Sequence, residues 1–109
     1  MSGQRTMHLV QLLVPLRDER GERFDGALYR QLRAELTERF GGLTLYSRAP
    51  AEGLWQEDEG ETPTHDDILV VEVMVEELDA AWWTAYRRAL ERRFRQEELV
   101  VRALGMQRL

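Results

Sequence analysis

Three polar side chains interrupt the apolar, strand-like segments of this sequence and could carry chemistry. Gln11 is the only polar residue in the run 9–14, and Glu72 is the only one in the run 68–75. Arg102 lies within a third apolar run near the C-terminus. A carboxylate set among apolar neighbours is a candidate general base, and arginine is a common anchor for anionic groups. These residues predict either a site for an anionic or carbonyl ligand or a structural ion pair.

Alternation of side chains along strands assigns these residues to a common surface. Gln11, Glu72 and Arg102 are expected on one face of a sheet, and two residues of the run 43–48 are expected beside them. Trp55 lies in the long irregular segment 49–67, where it would either pin that segment to the core or close over a site. The candidate binding residues are Gln11, Tyr46, Arg48, Trp55, Glu72 and Arg102.

Two interpretations of the polar group stay open. In the first, Glu72 and Arg102, together with Gln11, form a buried ion pair and hydrogen bonds that fix the register of a dimer. In the second, the same groups line a pocket in which Arg48 or Arg102 anchors an anionic ligand and Glu72 acts as general base. We expect Glu72 to be buried with an arginine partner, Arg102 before Arg48. The contact would reach across Gln11 or come from a second subunit.

The helices and strands that would position these residues are predicted from a pattern that occurs twice in the sequence. Asp25 and Asp79 each follow an apolar residue and open an amphipathic stretch, as helix N-caps do. Each stretch lies between two strand-like runs, which predicts the order β-α-β-β-α-β. The alignment matches Ala27 with Ala81, Arg33 with Arg87, Leu36 with Leu90, Arg39 with Arg93 and Phe40 with Phe94.

This pattern predicts a single domain, residues 1–109, of the α+β class. The expected fold is a ferredoxin-like plait with a four-stranded antiparallel sheet in the order 4-1-3-2 and two helices on one face. The predicted strands are Met7–Leu16, Leu43–Arg48, Ile68–Val75 and Leu99–Leu104. The first helix is expected to end at Gly41, and the charged run 92–98 is expected to be a solvated helix end.

The predicted face opposite the helices is largely apolar. A contiguous exposed apolar surface of this extent is unusual for a soluble monomer. A second copy of the chain is the simplest cover, so we expect a homodimer.

Composition excludes several classes of chemistry. The sequence contains no cysteine and no lysine, which removes disulfides, thiolate ligands and Schiff-base chemistry. The formal net charge of −5 does not favour nucleic acid as a partner. No apolar run reaches the length of a membrane helix, and the N-terminus carries no signal-peptide pattern. We therefore predict a cytoplasmic protein without a metal ion or another cofactor.

Several segments carry a resemblance to known proteins. The run 42–55, the pair Trp82-Trp83 and the run 93–98 resemble small, uncharacterised bacterial proteins, and the likeness extends over most of the chain. More broadly, the chain looks like the dimeric α/β-barrel group, which includes small monooxygenases, decarboxylase-like and dismutase-like enzymes, and ligand sensors. The resemblance transfers no function, because such folds host unrelated activities. The sequence also lacks the second strand-facing histidine that would support a haem or metal role.

Two functions are predicted. The first is a homodimeric ligand-binding or interaction module that uses the open face of the sheet. The alternative is a small metal-independent enzyme that acts on an anionic or carbonyl substrate with Glu72 as general base.

Overall fold

The computed structural model describes residues 5–41, 44–48 and 68–109, and for 44–48 the description covers the backbone. Two helices and four strands occur in these residues. In chain order they are β1 (Arg5–Pro15), α1 (Gly26–Phe40), β2 (Thr44–Arg48), β3 (Ile68–Val75), α2 (Ala80–Arg93) and β4 (Val100–Arg108).

The two predicted aspartate caps are confirmed. Asp25 Oδ1 accepts a hydrogen bond of 2.9 Å from the backbone N–H of Ala27 at the start of α1. Asp79 Oδ1 accepts one of 3.1 Å from the N–H of Trp82 at the start of α2. Each bond satisfies a donor that has no partner within the helix. Helix α1 ends at Gly41, whose φ of 84° is a conformation that glycine adopts without strain.

The core lies between the sheet and both helices. Helix residues Leu32, Leu36, Trp83 and Leu90 share one buried cluster with alternate residues of β1 and β3. Because a strand alternates its side chains between two faces, both helices must cover the same face. The opposite face is called the open face from here on. The strand residues of this cluster are Val10, Leu12, Val14, Val71, Val73 and Val75.

The predicted ferredoxin-like fold class requires correction. Backbone pairing joins the strands in the order β2-β3-β1-β4 with antiparallel neighbours. Only three of them, β3-β1-β4, form the antiparallel sheet whose side chains are described and which packs on the two helices. β2 adds five residues of backbone pairing at the edge of β3. The structure therefore supports an α+β fold with a three-stranded antiparallel sheet and two helices, and the ferredoxin-like assignment is not kept.

The physical reason is that the two halves of the doubled pattern are not equivalent. The strand after α1 has five residues, whereas the strand after α2 has nine and pairs along most of β1. The matched helix caps indicate where elements begin, but they carry no information about how far each strand pairs. β4 accordingly runs to Arg108, four residues beyond the predicted end at Leu104, and β1 spans Arg5–Pro15 instead of Met7–Leu16.

The end of α2 shows an arginine where glycine is usual. Arg95 has a φ of 53°, in the left-handed region. Its N–H donates to the carbonyl oxygen of Arg92 at 3.2 Å, and the N–H of Gln96 donates to that of Glu91 at 2.8 Å. This pair of bonds is the Schellman motif, in which glycine is favoured at the left-handed position because it has no Cβ.

Replacing Arg95 by glycine should therefore stabilise the protein. We expect the free energy of unfolding to rise by about 1 kcal/mol, because the left-handed conformation no longer strains a Cβ. Urea denaturation measures the change. Arg88→Gly is the matched control, since the same substitution in the exposed middle of α2 should cost about 1 kcal/mol. A loss of stability in both variants would contradict the interpretation of the cap.

Among residues 5–41, 44–48 and 68–109, no helix combines the length and the apolar character needed to cross a membrane.

Candidate functional site

A row of polar side chains crosses the middle of the open face. The backbone register places Gln11 of β1 directly opposite Glu72 of β3 on one side and Arg102 of β4 on the other. Gln11 Nε2 donates to Glu72 Oε2 at 2.7 Å, and Arg102 Nε donates to Gln11 Oε1 at 2.8 Å. These three residues are called the polar row. Both ends of the Gln11 amide are used, so the row is one continuous hydrogen-bonded chain over three strands.

The chemistry of the three groups fixes the direction of the row. An arginine only donates hydrogen bonds, and an ionised carboxylate only accepts them. The Gln11 amide must then turn its oxygen to Arg102 and its nitrogen to Glu72. Since β3 and β4 are separated by two strand spacings of about 4.8 Å, the charged side chains stand about 10 Å apart at their backbones. Glutamine bridges the gap between them.

The expected link from Glu72 to Arg102 thus runs through Gln11 within one chain. The expectation that Glu72 is buried is wrong for the single chain, where its side chain is half-buried and Arg102 is exposed. Arg102 lies on β4, where its open-face neighbours Val100 and Leu104 are also exposed.

Apolar side chains flank the polar row on both sides along the strands. Toward one end of the sheet the register aligns Val70, Leu13 and Val100, and toward the other end it aligns Met74, Leu9 and Leu104. Met74, Val100 and Leu104 are 52%, 48% and 46% exposed, whereas Val70 is buried at 3%. The open face therefore presents a charged and hydrogen-bonded centre between two apolar bands.

The remaining predicted site residues have different outcomes. The backbone of Tyr46 lies opposite Val70 and that of Arg48 lies opposite Ile68 in the pairing of β2 with β3. Trp55 lies outside the described residues. The polar row thus joins Gln11, Glu72 and Arg102, and the binding roles of all six candidates stay predictions.

Sequence reasoning missed a second polar cluster, which ties the two helices together. Arg93 of α2 makes two hydrogen bonds to the carboxylate of Glu35 of α1, at 2.9 Å and 3.0 Å. The hydroxyl of Tyr86 donates to the same carboxylate at 2.7 Å, and Gln31 Nε2 donates at 3.2 Å. The balanced charges of the run 92–98 predict a solvated helix end, which is wrong for Arg93. Its partner Glu35 is 58 residues away in the sequence and leaves no local signal. The available signal was position, since Glu35 borders the buried stripe that includes Leu36.

The protonation of this cluster follows from its contacts. Burial alone would raise the pKa of Glu35, but hydrogen bonds from Arg93 and Tyr86 outweigh it, and the pKa is lowered overall. Burial raises the pKa of Tyr86, and the neighbouring Glu35 carboxylate raises it further. The cluster therefore holds an ionised carboxylate against a charged guanidinium. This arrangement is suited to joining helices, because both carboxylate oxygens of Glu35 and both terminal nitrogens of Arg93 are already in hydrogen bonds.

Within the described part of the chain, no group of three or more His, Asp or Glu side chains converges as metal ligands would.

Comparison of the chain with protein-family models, with curated proteins and with solved structures finds no match. The resemblance to small bacterial proteins and to the dimeric α/β-barrel group stays an unconfirmed prediction. Function must therefore be inferred from the residues of the open face.

Proposed function

We propose that the protein is a homodimeric interaction or ligand-binding module that uses the open face of its sheet. The observation that carries this proposal is the exposure of three large apolar side chains, Met74, Val100 and Leu104, around the polar row. Burying such surface is favourable by roughly 25 cal/mol per Å². An exposed apolar band bordered by polar groups is typical of protein–protein contact sites.

A second copy of the chain is the partner that fits this surface with the fewest assumptions. In a two-fold dimer the same patch meets itself, so the apolar bands of one copy can cover those of the other. The polar row would then lie in the interior of the interface, where hydrogen-bonded side chains set orientation rather than supply most of the affinity.

The test is the oligomeric state and its response to a small truncation. We expect sedimentation velocity to show a dimer at micromolar concentration. Leu104→Ala should weaken the dimer about tenfold, since it removes apolar contact at a side chain that is free in the monomer. Leu78→Ala is the control, because Leu78 is 37% exposed but lies outside the strands, in the turn before α2. A wild-type chain that is monomeric at micromolar concentration would refute the proposal.

The enzymatic alternative has weaker support. Glu72 as a general base would need a substrate seated over the polar row, and no contact among the described residues favours one. It stays a prediction, and an activity that disappears in Glu72→Gln while the dimer persists would revive it.

A further inference from the structure

We infer that the dimer is arranged so that Arg102 of each copy contacts Glu72 of the other, with the two-fold axis running along β1. The inference rests on the proposed use of the open face and adds the geometry and the charged contacts of the partner. It follows from the order of charges along the polar row, which is positive on β4, neutral on β1 and negative on β3.

Two-fold symmetry limits the ways in which the two copies can be arranged. When two sheets pack face to face, their two-fold axis lies between them and parallel to both. Packed sheets commonly keep their strands within about 30° of each other, which favours an axis along the strands or across them. An axis along β1 exchanges the two sides of that strand. Position 102 of one copy then lies over position 72 of the other, and Gln11 lies over the partner's Gln11.

The other axis gives the opposite electrostatic result. An axis along the polar row, across the strands, places Arg102 over the partner's Arg102 and Glu72 over the partner's Glu72. Like charges brought together in a water-poor interface repel each other and oppose association. The arrangement along β1 replaces both repulsions with attractions, so the charge order of the row selects it.

The same axis also matches the apolar bands. Rotation about β1 leaves height along the strand unchanged, so Leu104 comes over the partner's Met74. Val100 comes to the level of the partner's Val70, which is already buried in the single chain. Met74 and Leu104, two of the three exposed side chains of these bands, thereby cover each other across the interface. Leu9 and Leu13 lie near the axis and meet their own copies. Apolar and charged residues thus agree on one geometry.

The charged pair also has a reason to form between chains. Arg102 and Glu72 of one chain are about 10 Å apart at their backbones, across β1, and each of them hydrogen-bonds to Gln11. Facing sheets are also about 10 Å apart, a gap that an arginine and a glutamate side chain span together. Charges enclosed by a dimer need a direct partner, because an unpaired buried charge is costly. The partner's Glu72 supplies that contact for Arg102.

Charge substitutions test the geometry through the dissociation constant of the dimer. Glu72→Arg should weaken the dimer at least about 100-fold by setting Arg102 against a partner's arginine, and Arg102→Glu should do the same with two acids. The double variant, with both changes on one chain, should restore most of the affinity. Glu77→Arg and Arg88→Glu are matched controls, since they change net charge equally at exposed positions away from the sheet.

Neutral substitutions provide a second test that does not depend on tolerating a reversed charge. Glu72→Gln and Arg102→Gln each remove one charge of the contact between the two copies, so each should weaken the dimer about tenfold or more. The two changes together should weaken it by less than the product of the single effects. An axis across the strands gives the opposite result, since each single change would relieve a repulsion and tighten the dimer.

The outcomes separate this inference from the proposed function. A wild-type monomer would overturn both. A wild-type dimer that is unchanged or strengthened by the single substitutions would overturn the axis and the Arg102–Glu72 contact while leaving the homodimer intact. Circular dichroism of each variant confirms that a weakened dimer still contains folded chains.

Discussion

Replacing Phe94 by alanine should lower the free energy of unfolding by about 3–5 kcal/mol. Phe94 is fully buried, at 0% exposure, and caps the C-terminal end of α2. Its ring meets Phe24 edge-on with centroids 5.2 Å apart and Tyr29 at 5.4 Å. The substitution removes a large apolar side chain from between the two halves of the chain and leaves a cavity that rigid neighbours fill poorly.

Urea denaturation followed by circular dichroism at one fixed protein concentration measures this effect, since a dimer's stability depends on concentration. Leu78→Ala is the control and should change stability by less than about 1 kcal/mol, because Leu78 is 37% exposed. A loss below about 1 kcal/mol for Phe94→Ala would mean that the ring is not central to the core.

Replacing Glu35 by glutamine should cost about 2 kcal/mol at neutral pH. The change removes the charged acceptor of Arg93 and Tyr86, and the Arg93 side chain, only 17% exposed, loses its anionic partner. The Glu35 side chain is itself 35% exposed, so solvent screening holds the effect below that of a fully buried pair.

The pH dependence of this loss has a definite sign. The pKa of Glu35 is lowered in the folded protein, so its contribution is complete above the range in which an unfolded glutamate titrates. It is lost as the pH falls through the folded value. The stability difference between wild type and Glu35→Gln should therefore shrink on acidification from neutral pH. Glu38→Gln, an exposed glutamate change on the same helix, should show a small difference throughout. A constant gap for Glu35→Gln would contradict a charged role.

Local patterns in the sequence were sufficient to predict the helix starts and the faces of the strands. Asp25 and Asp79 cap helices because a short acidic side chain satisfies free backbone donors, which is a property of a few neighbouring residues. Gln11 and Glu72 were placed on one face because alternation is also local. Both predictions needed only the residues within one element.

Contacts between distant elements could not be predicted in the same way. Nothing near Gln11 in the sequence shows that it stands level with both Arg102 and Glu72, because register depends on how whole strands pair. Arg93 and Glu35 meet only when two helices pack side by side. Arg95 adopts the left-handed conformation, which is unfavourable for residues other than glycine. The residue type at position 95 therefore did not predict the helix cap.

The prediction of a ferredoxin-like fold was wrong for a related reason. The doubled pattern around Asp25 and Asp79 predicted two equal units, but a strand's length depends on the neighbour it pairs with. β4 extends because β1 offers a long edge, whereas β2 pairs with β3 over five residues.

The amide of Gln11 has a consequence for how this sequence can vary in evolution. A half-turn of a glutamine's terminal group exchanges its donor and acceptor and leaves its shape almost unchanged. The centre of the polar row would therefore accept an acid on β4 and an arginine on β3 as readily as the present order. A leucine at position 11 could not hydrogen-bond to the side chain at position 72 or to the one at position 102. Among related sequences, we expect position 11 to vary least, and positions 72 and 102 to change together as opposite charges.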